Sequence, residues 1–106
     1  MMYRVRGKFL FDTAEEFMKK LADGSIEQQK PDGPEIVRAM KSATIDETGF
    51  VNWTQRCFCR TPLKHERKTV YDFYFETLEV SVSLKHEIIE GVSFMDMLSS
   101  AMQKSN

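Results

Sequence analysis

Apolar and basic residues alternate from Met2 to Phe11, and this period of two predicts a strand with one apolar face. The period then changes to 3.6, because the apolar residues that follow include Phe17 and Leu21, which lie about one helical turn apart. A capping-box spacing stands at the start of this segment, and Gly24 follows its end. The pattern therefore predicts a helix over about 13–23.

The middle of the chain has strand-like composition with turn signals between the runs. Segments 35–45 and 50–60 predict two strands, joined by a four-residue turn at 46–49 that places glycine where a positive φ is needed. Segment 25–30 contains a single apolar residue, Ile26, so it is either a short edge strand or a polar loop.

Segment 70–84 has high strand propensity, but its apolar residues change from one face to the other partway along. A bulge that inserts one extra residue explains this change of phase. The alternative is one long strand buried on both faces, one face by helices and the other by a partner chain. After this segment, Ser93 and Asp96 have the capping spacing that predicts a last helix.

This order of elements predicts the α+β class, with a single antiparallel β-sheet in β-α-β-meander-α order, four or five strands, and two helices packed on one face. A chain of 106 residues has room for one core, so we expect one α+β domain over 1–106. Trp53 is expected to lie in that core. Its predicted contacts are Phe17 or Leu21 of the first helix, or Phe94 or Leu98 of the last.

Composition excludes several classes of protein. Apolar residues make up 42% of the chain and charged residues 29%, which is ordinary for a globular domain. The formal net charge of −1 gives no overall attraction to nucleic acid or to anionic membranes. No apolar run approaches the roughly 20 residues of a membrane span, and Arg4 and Arg6 interrupt any signal peptide. We therefore expect a cytoplasmic protein that does not associate with membranes.

The candidates for chemistry are two cysteines and two histidines: Cys57, Cys59, His65 and His86. Two thiolates and two imidazoles form a set that zinc accepts, although a pair one residue apart is not the usual zinc knuckle. The alternative, which the spacing favours, is two reduced core thiols and two surface histidines. On that interpretation the protein holds no metal and no other cofactor. The sequence also lacks the common nucleotide-binding and hydrolase motifs, which favours a non-enzymatic role.

Charge is unevenly distributed along the chain. Seven basic residues stand against three acidic ones over 36–68, whereas two stand against six over 69–106. Arg56, Phe58 and Arg60 would share one face of a strand, and Arg4 and Arg6 would share another. Such a surface could bind single-stranded RNA or an anionic ligand. The alternative is cross-strand pairing of Arg56 and Arg60 with carboxylates of the next strand, Asp72 and Glu76.

Three functions follow from these patterns. The first is a binding or assembly module that forms a homodimer or takes a protein partner, because segment 70–84 has apolar residues on both faces. The second is binding of nucleic acid or an anionic ligand by the basic residues. The third is a small enzyme or metal site that uses Cys57, Cys59 and His86.

Overall fold

The computed structural model describes residues 1–85 and 89–104. Its single antiparallel sheet consists of β1 (Met2–Phe9), β2 (Thr44–Ile45), β3 (Phe50–Arg56), β4 (Phe75–Ser83) and β5 (Val92–Ser93). The α+β class and the single antiparallel sheet are confirmed. The strand order is β4-β1-β3-β2-β5, so the predicted meander is wrong. The N-terminal strand lies between β3 and β4, which are therefore not neighbours.

Four helices accompany the sheet in the described part of the chain, two more than predicted. They are α1 (Ala14–Ala22), α2 (Gly33–Ser42), α3 over 64–74, and α4 (Phe94–Lys104). Helix α3 is continuous but irregular, since the π-helical segment Arg67–Tyr71 separates two α-helical ends, Lys64–Glu66 and Asp72–Tyr74. The expected cap of the last helix is present, where the amide of Asp96 donates to Ser93 Oγ at 3.3 Å.

The strand predicted over 35–45 is wrong for most of its length, because α2 occupies it. Ile36, Val37 and Met40 are buried at the spacing of one helical face, and Pro34 stands in the first turn, where proline is well tolerated. Within this segment only Thr44 and Ile45, the two residues of β2, form a strand. Segment 25–30 forms turns rather than an edge strand, with Ile26 buried beneath them.

The phase change in segment 70–84 has two causes. Tyr71 and Tyr74 are buried at helical spacing at the end of α3, and β4 begins only at Phe75. The predicted bulge is present as well, since Gly7 pairs with Leu78 whereas Phe9 pairs with Phe75, one residue more on β4 than on β1. The alternative of one long strand buried on both faces is wrong.

The core lies between one face of the sheet and the helices. Trp53 is 1% exposed, so its predicted burial is confirmed. Its ring centroid lies 5.1 Å from that of Tyr71 and 5.3 Å from that of Phe75, so its aromatic partners come from α3 and β4. Phe17 of α1 and Phe94 of α4 belong to the same core. Among the described residues, no helix has the length and apolar character needed to cross a membrane.

Candidate functional site

A cavity of about 710 Å³ lies where the start of α2, the chain after β3, and the first turn of α3 meet. This volume falls in the range of small-molecule sites, roughly 300–1,000 Å³. We call it the α2–α3 cavity. Its lining residues are Pro31, Asp32, Pro34, Glu35, Arg38, Arg56, Cys57, Phe58, Cys59 and Glu66.

The chain after β3 places acid and sulfur together at the base of this cavity. Cys57 is 3% exposed, and Cys59 is half-buried. Leu63, fully buried with a left-handed φ of +60°, then starts α3 and turns its first residues back toward the cysteines. As a result Glu66, in the first turn of α3, is only 1% exposed.

The carboxylate of Glu66 has polar partners but no basic one. Gln55 Nε2 donates to Glu66 Oε2 at 3.4 Å, and Cys59 Sγ lies 3.6 Å from Glu66 Oε1. No arginine, lysine or histidine in the described part of the chain forms an ion pair with it. A buried carboxylate without a positive partner is costly, because desolvation opposes its charge.

Gln55 fixes the orientation of this carboxylate. Its side chain is fully buried, and its Oε1 accepts hydrogen bonds from Trp53 Nε1 at 3.0 Å and from the Tyr71 hydroxyl. Because an indole nitrogen can only donate, the amide oxygen must face Trp53. The amide nitrogen is therefore directed at Glu66, which must act as an acceptor.

Two side chains next to Glu66, those of Tyr71 and Cys57, have raised pKa values. Burial raises the pKa of Tyr71 well above its usual value of 10.0, and the negative charges of Glu66 and Glu35 raise it further. Burial likewise raises the pKa of the Cys57 thiol to about 12. The Cys57 thiol therefore keeps its proton at neutral pH in the absence of a bound cation, which argues against a nucleophilic role.

Asp32 supplies a second buried carboxylate at the cavity. His65 Nδ1 lies 2.5 Å from Asp32 Oδ2, and the Asp32 side chain is only 10% exposed. The other oxygen, Oδ1, is buried and has no hydrogen-bond partner among the described residues. Buried polar atoms are almost always satisfied, so this oxygen indicates a missing donor or cation.

The structure brings three of the four sequence-predicted metal candidates to this site. The ligand atoms of Cys57, Cys59 and Glu66 all lie within 4.8 Å of one another, and so do those of Asp32, His65 and Glu66. The two sets share Glu66. The fourth candidate, His86, lies outside the described residues.

Sequence reasoning missed Glu66, Asp32 and Gln55. A signal for Glu66 was present, because Leu63, Glu66 and Val70 follow one another at helical spacing and put an acid in an apolar stripe. The strand predicted from residue 70 onward concealed this helical spacing. Asp32 carries no such signal, since its burial depends on segments distant in the sequence. Alternation along β3 puts Gln55 on the core face but does not show which polar groups it meets there.

The predicted nucleic-acid residues do not form one surface. Strand β3 ends at Arg56, so Phe58 and Arg60 lie in the chain that follows it rather than on a shared strand face. Arg56 and Phe58 line the α2–α3 cavity. The alternative pairing of Arg56 with Asp72 is wrong, because Asp72 lies in α3 and pairs with Arg67 at 3.5 Å. Glu76 lies on β4, which β1 separates from β3.

Arg4 and Arg6 lie on the sheet face opposite the core, where opposite charges surround Arg6. Its guanidinium is 3.8 Å from Asp46 and 3.6 Å from Glu79, and it lies over the Phe50 ring at 3.6 Å. This face is therefore a network of exposed ion pairs rather than an unopposed basic surface.

No family model matches the chain, and neither the curated proteins nor the solved structures with which it was compared contain a match.

Proposed function

We propose that this protein is a non-enzymatic binding protein whose α2–α3 cavity takes a small ligand with a cationic or N–H-donating head and an apolar body. The observation that carries this proposal is the buried carboxylate of Glu66, held by Gln55 and lacking a basic partner in the described chain. A ligand head that supplies positive charge or donors would satisfy it.

The charges around the cavity support a positive head at its base. Arg38 is committed to Glu35, with nitrogen–oxygen distances of 2.6 and 3.2 Å, and it also donates to the carbonyl of Thr54. It therefore does not neutralise Glu66 or Asp32. Both of these carboxylates are buried, and Asp32 Oδ1 has no hydrogen-bond donor among the described residues.

The remaining walls support an apolar body. Pro31 and Pro34 contribute rigid apolar surface, and Phe58 is 85% exposed at the same cavity. An aromatic side chain left this exposed loses hydrophobic stabilisation that a bound ligand would restore. The cavity thus combines an acidic base with apolar walls, the usual composition of a specific small-molecule site.

Benzamidine and benzoate test whether the cavity prefers a positive or a negative ligand, because they have a similar shape and opposite charges. We expect benzamidine at millimolar concentration to raise the thermal unfolding midpoint and benzoate to leave it unchanged. Glu66→Gln and Asp32→Asn should each abolish the benzamidine effect. The exposed Asp72→Asn on the same helix is the matched control and should retain it. Equal effects of the two probes, or a benzamidine effect indifferent to Glu66 and Asp32, would contradict the proposal.

Both cysteines are free. A reducing compartment keeps such thiols unpaired, and we include the cytoplasm in the proposal on this ground. Binding of nucleic acid has less support, because Arg6 is already paired with Asp46 and Glu79.

Self-association is a second candidate function, supported by the outer edge of β4. Strand β4 pairs only with β1 in the described chain, so its other edge has no partner strand. Val82 and Leu84 are 61% and 99% exposed near its end. Exposed strand edges are ready templates for a second copy. Sedimentation equilibrium at micromolar concentration should then show a dimer, and Val82→Lys should return it to a monomer. A wild-type chain that stays monomeric would remove this candidate.

A further inference from the structure

We infer that the cation at the base of the α2–α3 cavity is a zinc ion bound by Cys57, Cys59 and Glu66. The inference rests on the proposed function in one respect, namely that this part of the cavity receives positive charge. It names the ion and adds the two thiols, which an organic cation would not require.

The donor atoms stand about an ångström or less beyond the separations that a single ion needs. The two sulfur atoms and a Glu66 oxygen lie within 4.8 Å of one another. Donors bound to one tetrahedral zinc are about 3.3–3.8 Å apart, from metal–ligand distances of about 2.0–2.3 Å. Side-chain rotations that move the donor atoms by about an ångström would therefore bring them to these separations.

Neighbouring hydrogen bonds orient two of the three donors. The backbone amide of Cys59 donates to Cys57 Sγ at 3.3 Å, which stabilises negative charge on that sulfur. Gln55 Nε2 donates to one oxygen of Glu66, and Cys59 Sγ lies closest to the other, Oε1. Such outer contacts fix ligand geometry in known metal sites.

Asp32 gives an independent indication of a missing positive or donating group. Its side chain is nine-tenths buried and lines the same cavity, and its Oδ1 has no partner among the described residues. With three protein ligands the zinc ion keeps one open position. A water molecule in that position is the kind of hydrogen-bond donor that Asp32 Oδ1 lacks.

The donor types select the metal. Two thiolates favour zinc and other soft or borderline ions, whereas calcium and magnesium prefer sites made of oxygen alone. Binding replaces the protons of the two thiols with metal–sulfur bonds, and both protons leave to solvent.

Cobalt(II) titration of the full, metal-free chain tests the inference, because cobalt occupies zinc sites and is coloured. We expect one equivalent to give sulfur-to-cobalt charge-transfer absorption and tetrahedral visible bands, both removed by added zinc. Cys59→Ser should weaken binding at least about tenfold, since loss of an outer contact alone has that effect in other sites. Glu66→Gln should weaken it similarly, and Asp72→Asn should not.

The outcomes separate this inference from the proposed function. Benzamidine binding that depends on Glu66, without cobalt charge-transfer absorption, would overturn the zinc site and leave the cationic site standing. Loss of both signals would overturn both. Cobalt binding that Cys59→Ser does not weaken would place the ion elsewhere and overturn the inference. Cys59 is only half-buried, so its replacement by serine should leave the core intact. Circular dichroism checks that the Cys59→Ser variant is folded before cobalt binding is compared.

Discussion

Gln55 is the residue on which the polar interior depends. Its fully buried amide joins Trp53 and Tyr71 on one side to Glu66 on the other. Burial of Trp53 was predictable, because it lies on an apolar strand face. The role of Gln55 was not, since strand alternation puts it on the core face but cannot show that three polar groups converge there.

Replacement of Gln55 by leucine should destabilise the fold severely. Leucine has a similar size, but it removes the hydrogen bonds that Gln55 makes with the Trp53 indole N–H, the Tyr71 hydroxyl and Glu66 Oε2. Each buried unsatisfied group costs about 1–3 kcal/mol, so we expect a loss of about 3 kcal/mol or more in the free energy of unfolding. Urea denaturation measures it, with the exposed Gln28→Leu as the control that should change little.

Tyr71 should make the protein sensitive to alkali. Its pKa is raised above 10.0 in the folded state, chiefly by burial, so the folded chain holds this proton more tightly than the unfolded chain does. Stability is therefore complete below about pH 10 and falls as the pH rises further, because the unfolded tyrosine ionises first. Urea midpoints measured above pH 10 should fall more steeply for wild type than for Tyr71→Phe. Equal slopes would show that Tyr71 is accessible to solvent.

At the scale of the element, the sequence predicted correctly those helices, strands and turns that depend on neighbouring residues in the chain. The first strand follows from alternation, α1 from the spacing of its apolar residues, the turn at 46–49 from glycine placement, and the last helix from its cap. The capping box predicted for α1 is wrong, because its N-cap residue Thr13 makes no side-chain cap hydrogen bond. Helices α2 and α3 were missed because Ile36, Val37 and Tyr71 have high strand propensity. Burial against the sheet overrides that propensity, and a single sequence does not reveal which face will be covered.

The turn before β3 gives a test at this scale. Gly49 and Gly24 share a φ of +86°, but a Cβ at Gly49 would stand 3.2 Å from Phe11 Cε2, whereas at Gly24 it would meet only the flexible end of Gln28 at 3.5 Å. We expect Gly49→Ala to cost about 1–3 kcal/mol of unfolding free energy from the left-handed backbone, plus a crowding penalty. Gly24→Ala should cost less. Equal losses of unfolding free energy in the two variants, from thermal or urea melts, would show that the Phe11 ring moves aside without destabilising the fold.

At the scale of the whole molecule, the strand order could not be read from the chain. The pairing of β1 with both β3 and β4 joins residues more than 40 positions apart, and no local pattern encodes that choice. It also has a functional consequence. With β3 held inside the sheet by β1 and β2, the chain after Arg56 carries Cys57 and Cys59 to the edge of the core, where Glu66 arrives from α3.

The central claim is that the base of the α2–α3 cavity receives positive charge beside Glu66. The most direct measurement is the nuclear magnetic resonance signal of the Gln55 side-chain amide, because this group donates to Glu66 and is otherwise enclosed. Titration with benzamidine should shift this signal saturably, and benzoate should leave it in place. A signal that moves equally with both probes, or with neither while other cavity residues respond, would contradict the account.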